Sequence, residues 1–109
     1  MGNHEDSVYV GHILEAIELI EKFLKGKTLS IFMQDQMLSS AVARQLEIVC
    51  EASKRLSPAF KETLPQVAWR DIAGMRDKLV HDYFGIDLDV VWESATQDTV
   101  ILKEALRSR

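Results

Sequence analysis

The stretch MRDKLVHDYF, residues 75–84, places Arg76, His81 and Tyr83 within a few positions of one another. A histidine titrates near neutral pH, so it can accept or donate a proton in a reaction. An arginine keeps its charge and offers a planar fork of N–H donors that matches phosphate oxygens. These residue types are compatible with a reaction centre and equally with an ordinary polar helix end.

The helical spacing of the three side chains leaves both interpretations open. Arg76 and Tyr83 are seven positions apart and project from nearly the same side of a helix. His81 is offset from Arg76 by roughly 140°. The three side chains converge only if the helix ends near Tyr83 or if a second subunit supplies the other half of the site. In the structural alternative, Arg76 pairs with Asp82 or another acid, His81 caps carbonyl groups, and the Tyr83 ring packs with its hydroxyl at the surface.

A second polar patch lies in an otherwise apolar segment and consists of Arg44, Gln45, Glu47 and Glu51. One interpretation pairs Arg44 with Glu47 or Glu51 in solvent, where an ion pair contributes little to stability. The other has Arg44 facing a neighbouring helix or subunit and helping to hold a site. The pattern alone favours the first interpretation.

The sequence contains no motif for a metal or a cofactor. His4, His12 and His81 are far apart, and no pair of Cys or His residues has ligand spacing. His12 is expected to be a polar edge of the first helix. There is no glycine-rich phosphate loop and no nucleophile elbow. Cys50 lies among apolar residues, which is typical of a small core residue rather than a reactive thiol.

The composition predicts one domain over residues 1–109, in the cytoplasm and not in a membrane. Hydrophobic residues make up 47% of the 109 residues, which is enough for a packed core, and no apolar run reaches membrane-spanning length. The first residues, MGNHEDS, lack the apolar core of a signal peptide. A single cysteine fits a reducing compartment. The net charge of −4 means that any nucleic-acid binding must use locally concentrated positive charge.

Apolar residues at helical spacing predict an up-down bundle of four long helices with one short helical insert. The second helix is apolar on several sides and is therefore expected to be central in the bundle or at a subunit interface. Glu18 and Lys22 are expected to pair on the outer face of the first helix. The long segments cover residues 6–26, about 30 to 56, 66–84 and 88–109. The expected helix starts are Asp6 or Ser7, Pro58, and Asp87 or Asp89; the expected ends are Gly26 and Gly85, with a weak point in the last helix at Thr96 and Thr99.

The motif residues and their flanks resemble the HepT-like branch of the HEPN-domain proteins. RDKLVHDY fits the pattern R-x-x-x-x-H-x-Y of that branch. VYVGHILEAIELIEKF resembles its first helix, and AVARQLEIVCEASKRLSP resembles its second, where Gly is common at the position of Cys50. LPQVAWRDIAGMRDKLVHDYFGIDLDVVW resembles the region around the motif, although Asp77 stands where the family often has Asn. The resemblance covers nearly the whole chain.

The resemblance implies a homodimeric toxin of a two-gene toxin–antitoxin system. It implies a metal-independent RNA endonuclease, with Arg76 and His81 as the catalytic pair in a cleft between two subunits. It further implies that an MntA-like nucleotidyltransferase antitoxin silences the toxin by transferring AMP onto Tyr83. Lys78 would add positive charge near Arg76.

Asp77, Lys78, Arg44 and Glu51 are candidate supporting residues of this site. Asp77 and the acidic balance of the chain leave open an alternative hypothesis from another class of function. In that hypothesis the protein is a non-catalytic helical dimer that serves as the binding partner of the nucleotidyltransferase.

Overall fold

The computed structural model describes residues 4–79 and 85–109, and the regular structure in this part of the chain is helical, without a β-strand. This confirms the predicted all-helical class. No helix in the described ranges combines the length and the apolar character needed to cross a membrane. The helices are α1 (His4–Leu24), α2 (Leu29–Gln34), α3 (Gln36–Arg55), α4 (Pro58–Glu62), α5 (Trp69–Leu79), α6 (Leu88–Glu93) and α7 (Thr99–Ser108), with a π-helical turn (Ser94–Asp98) joining the last two.

The segment predicted as one helix over about residues 30 to 56 is divided in two at Asp35. Thr28 begins α2 by accepting a hydrogen bond from the Ile31 N–H at 3.2 Å. The Asp35 carboxylate begins α3 by accepting one from the Leu38 N–H at 3.0 Å. Aspartate is a favoured N-cap because its side chain satisfies an amide that has no partner within the helix. The division was missed because apolar spacing continues across the junction.

The start of α1 also differs from the prediction. Asp6 and Ser7 lie inside α1, which already includes His4, so neither is the N-cap. The Asp6 carboxylate is only 2% exposed and accepts hydrogen bonds from both the amide and the hydroxyl of Ser57, each at 2.7 Å. The Ser57 hydroxyl in turn caps α4 by accepting from the Phe60 N–H at 3.1 Å. Asp6 therefore joins α1 to the α3–α4 connection.

The predicted helix boundaries at Gly26, Pro58 and Asp87 are confirmed. Gly26, just after α1, has a φ of 75°, a left-handed conformation that glycine adopts without steric cost. Pro58 begins α4, where its missing N–H is not needed. The Asp87 carboxylate caps α6 by accepting from the Val90 N–H at 3.2 Å. Gly85 has a φ of 96°, but residues 80–84 lie outside the described ranges, so the helix end expected at Gly85 stays a prediction.

The weak point predicted near Thr96 and Thr99 is the π-helical turn. The Thr96 hydroxyl donates to the Trp92 carbonyl at 2.7 Å, and the Thr99 hydroxyl donates to the Ala95 carbonyl at 2.8 Å. These hydroxyls compete with the backbone amides for carbonyls one turn earlier, which favours local departure from α-helical geometry.

The core has two parts, and α3 contributes to both of them. The first part joins α1, α3, α4, α5 and α7, and the second joins α1, α2, α3, α5, α6 and the π-helical turn. Because α3 packs against α1 and against α5, the expectation of a central second helix is confirmed. The expected Glu18–Lys22 pair is wrong, since Glu18 contacts Arg107 of α7 at 2.9 Å. Glu21 contacts Lys103 at 2.9 Å and forms a second link between α1 and α7.

Candidate functional site

Arg76 lies near the end of the described part of α5, on the side facing away from the core. Ile72, Met75 and Leu79 form the buried face of this helix, as their spacing predicted. Arg76 follows Met75 by one position, so its side chain is turned toward solvent and is 61% exposed. The packed face fixes the helix, and the helix presents a charged guanidinium at the surface.

Glu47 of α3 contacts this guanidinium from the neighbouring helix. Its Oε2 lies 3.5 Å from Arg76 Nε, and its side chain is 33% exposed. An ion pair this open to solvent adds little stability. Arg76 and Glu47 therefore form a solvent-exposed ion pair that links α3 and α5 at the surface.

Cys50 lies one turn after Glu47 on α3, beneath Arg76. It is 1% exposed, and this burial raises the pKa of its thiol to about 11, although the Arg76 backbone amide acts in the opposite direction. The protonated, buried thiol confirms the prediction of an unreactive core residue. The interaction of this thiol with the Arg76 backbone shows that α3 and α5 approach closely at this level of the bundle.

The expected pairing of Arg44 with Glu47 or Glu51 is wrong. Glu47 contacts Arg76, and Glu51 contacts Arg55 at 3.6 Å across one helical turn. Arg44 forms no ion pair with another described residue. Arg44, Glu47 and Glu51 instead line one shallow groove between α1 and α3. The structure thus brings two of the candidate supporting residues to the same groove as the partner of Arg76.

Lys78 and Asp77 are both exposed on α5, but Lys78 does not share the groove with Arg44. Lys78 lies roughly 200° around the helix from Arg76. It lines a second groove, between α5 and the π-helical turn, together with Asp71 and Asp98. Within one chain, Lys78 and Arg76 therefore face different sides of α5, and the contribution of Lys78 to the charge of a dimer groove stays a prediction.

His81 and Tyr83, the other two motif residues, lie outside the described residues. Glu47 is the site residue that sequence reasoning did not select, because it was treated as one member of a surface patch. The available signal was its position between buried Leu46 and buried Cys50, at the edge of the core-facing side of α3. A charged residue at such an edge is placed to meet a neighbouring helix.

The fold and the site together define an all-helical protein that presents an exposed arginine shortly before a histidine and a tyrosine. The chain belongs to the HepT-like ribonuclease family, whose model, described as ribonuclease HepT-like, matches residues 13–109.

Named relatives agree with this assignment. The "Probable ribonuclease HepT" of Thermococcus cleftensis is 45% identical over 101 residues, which cover 93% of this chain and 90% of the relative. A "Putative RNase" of Caldanaerobacter subterraneus subsp. tengcongensis is 38% identical over 99 residues, covering 91% and 88% of the two chains. A "Gamma-glutamylcyclotransferase and putative RNase" of Methanocaldococcus jannaschii is 43% identical over 99 residues. Its match covers 91% of this chain but only 45% of that longer relative. No solved structure gives a significant match.

Proposed function

We propose that this protein is the toxin of a two-gene toxin–antitoxin system and a metal-independent RNA endonuclease acting in the cytoplasm. Residues 1–109 form one HEPN-like domain, a bundle of four long helices with short additions, and two copies form a homodimer. The observation that carries the proposal is the exposed Arg76 guanidinium, paired with Glu47, within a chain that belongs to a ribonuclease family.

The proposed reaction uses the 2′-hydroxyl of the RNA as the nucleophile. Its oxygen bonds to the adjacent phosphorus while the bond from phosphorus to the 5′-oxygen of the next nucleotide breaks. A base must take the hydroxyl proton, and an acid must protonate the departing oxygen. His81 suits either proton transfer, and Arg76 suits the extra negative charge on the phosphorus centre.

The homodimer follows from the count of groups that this reaction requires. Each chain supplies one motif histidine, whereas the reaction needs an acid and a base. Two chains with their motifs facing one cleft supply two copies of His81 and two of Arg76. The same pairing concentrates positive charge in a chain whose overall charge is −4.

The proposed regulation is modification of Tyr83 by an MntA-like nucleotidyltransferase antitoxin. The Tyr83 oxygen bonds to the α-phosphorus of ATP, pyrophosphate leaves, and the hydroxyl proton is released. The attached AMP adds bulk and negative charge beside the cleft, so it opposes RNA binding both sterically and electrostatically.

The nuclease proposal is tested with purified, unmodified protein and RNA in the presence of EDTA. We expect wild type to produce fragments with 2′,3′-cyclic phosphate ends, and we expect Arg76→Ala and His81→Ala to lose most of this activity. Arg70→Ala removes an exposed arginine from the same helix and is the matched control. Equal cleavage by wild type and His81→Ala would refute the assigned role of His81. Cleavage by none of the proteins would favour the non-catalytic binding partner instead.

The regulatory proposal is tested by measuring the intact mass of the protein after incubation with ATP and the nucleotidyltransferase encoded beside it. An increase equal to one or more AMP units is expected for wild type and not for Tyr83→Phe. An unchanged wild-type mass, or the same increase in Tyr83→Phe, would contradict the assignment.

A further inference from the structure

The groove between α1 and α3 has a volume of about 330 Å³ and borders the contact between Glu47 and Arg76. It is shallow and open to solvent, and Glu47 belongs both to its wall and to the Arg76 ion pair. A ligand in this groove would therefore extend up to the proposed reaction centre. The lining residues are Tyr9, His12, Arg44, Glu47, Ile48, Glu51, Ala52 and Arg55.

Arg44 gives this groove an uncompensated positive charge. The two glutamates of the groove are engaged by other arginines, Glu47 by Arg76 and Glu51 by Arg55. Arg44 is exposed and forms no ion pair with any described side chain. A guanidinium in this state is available to a phosphate.

An aromatic pair lies on the α1 side of the same groove. The rings of Tyr9 and His12 have centroids 5.9 Å apart and stand nearly perpendicular, at 82°. Tyr9 is half-buried and packs against the core, so it fixes one edge of the pair. His12 is exposed, so its ring is accessible to a stacking partner from solvent. Nucleobases stack on aromatic and histidine rings regardless of their sequence.

Two other grooves of the described structure are electrostatically unsuited to a polyanion. The groove between α5 and the π-helical turn carries Asp71, Glu93 and Asp98 against Lys78 alone. In the groove along α7, Lys103 and Arg107 are already engaged by glutamates of α1. Charge and aromatic character therefore coincide only in the α1–α3 groove among the three.

We propose that the α1–α3 groove binds single-stranded RNA next to the cleaved bond, with His12 stacking on a base and Arg44 contacting a phosphate. The proposal rests on the function proposed above and adds a substrate-binding subsite to it. Glu47 lines this subsite and also contacts Arg76, so the subsite borders the proposed reaction centre. The groove then contributes affinity for RNA, whereas Arg76 contributes to the chemical step.

The binding experiment uses fluorescence anisotropy with a labelled single-stranded RNA carrying 2′-O-methyl groups. This probe lacks the attacking hydroxyl, so binding is measured without cleavage. We expect His12→Ala to raise Kd at least about fivefold, and His12→Phe to stay close to wild type because a stacking ring is kept. Arg44→Ala should raise Kd and reduce the slope of log Kd against log salt by about 0.7, the loss of one phosphate contact. Lys22→Ala, which removes an exposed charge from α1 outside the groove, is the control.

The outcomes separate this proposal from the proposed nuclease function. If wild type cleaves ordinary RNA but Arg44→Ala and His12→Ala match Lys22→Ala in Kd and salt dependence, the subsite is refuted and the nuclease stands. If wild type cleaves nothing but Kd depends on Arg44 and His12, the nuclease is refuted and the RNA-binding groove stands. Analytical ultracentrifugation tests whether the groove is a subunit interface. If Arg44→Ala or His12→Ala converts a dimer to a monomer, the groove is an interface between subunits and the proposal is overturned.

Discussion

Replacing Glu47 with Gln removes the charge that orients Arg76 while keeping the size of the side chain. The two side chains are 61% and 33% exposed and lie 3.5 Å apart, so solvent screens most of their attraction. Loss of an ion pair this exposed costs less than about 1 kcal/mol of folding free energy. A change of that size lowers the melting temperature by less than about 8 °C.

The expected effect on RNA cleavage is larger than the effect on stability. A displaced catalytic group loses rate steeply, and we expect kcat to fall about 10- to 100-fold in Glu47→Gln. The affinity for RNA should not fall, because the substitution removes a negative charge beside the α1–α3 groove. The predicted signature is therefore a lower kcat with an unchanged or lower KM.

The assay combines steady-state cleavage of a short RNA with thermal unfolding of the same samples. Glu18→Gln is the matched control, since Glu18 also forms an exposed ion pair with an arginine, Arg107 of α7, at 2.9 Å. Equal kcat values for the two variants would refute the positioning role of Glu47. A rise in KM with unchanged kcat would also refute it, because that result places Glu47 in substrate binding.

Three further predictions concern the fold. Asp6→Ala leaves the Ser57 amide and hydroxyl without their buried acceptor, so we expect a loss of about 2–4 kcal/mol in urea unfolding, with a smaller loss for Asp6→Asn; a loss below 1 kcal/mol for Asp6→Ala would contradict this. Burial holds the Cys50 pKa at about 11 against 9.0 for an ordinary thiol, so the unfolded chain loses this proton first. Between pH 9 and 11 the free energy of unfolding of wild type should therefore fall faster than that of Cys50→Ala, by up to about 1.4 kcal/mol per pH unit. Parallel pH profiles of the two proteins would refute this. Asp87→Ala should cost about 1 kcal/mol through loss of the α6 cap, and Asp89→Ala, which removes a nearby charge but no cap, should cost less; thermal unfolding of both checks the order.

Local sequence signals located most of the helix boundaries. Pro58, Gly26 and Asp87 act through their own backbone geometry or through an amide three positions away, so their effect is visible in a few residues of sequence. Asp35 carries the same kind of signal, but the apolar spacing of the surrounding residues masked it. Asp6 was misassigned because its partner, Ser57, is 51 positions away in the chain.

For the candidate site, too, some features were predictable from the sequence and others only from the structure. The motif containing Arg76, together with its flanking segments, indicated the family, and the family comparison confirmed it. The contact between Glu47 and Arg76 was not predictable from the sequence. Glu47 lies three positions after Arg44 and four before Glu51, and this spacing is also that of ion-paired residues on a solvent-exposed helix surface. Only the close approach of α3 and α5 at Cys50 selects Glu47 as the contact.

The sequence by itself determined the helical class, most helix ends and the family, because these depend on interactions within a turn or two and on residue patterns preserved along the chain. The tertiary structure decided which polar residues meet. Glu47 contacts Arg76, Arg44 lines the α1–α3 groove without an ion pair to a described residue, and Lys78 lines the acidic groove beside the π-helical turn. These outcomes depend on how α1, α3 and α5 pack, and the relative placement of packed helices is fixed by the whole core rather than by any local pattern.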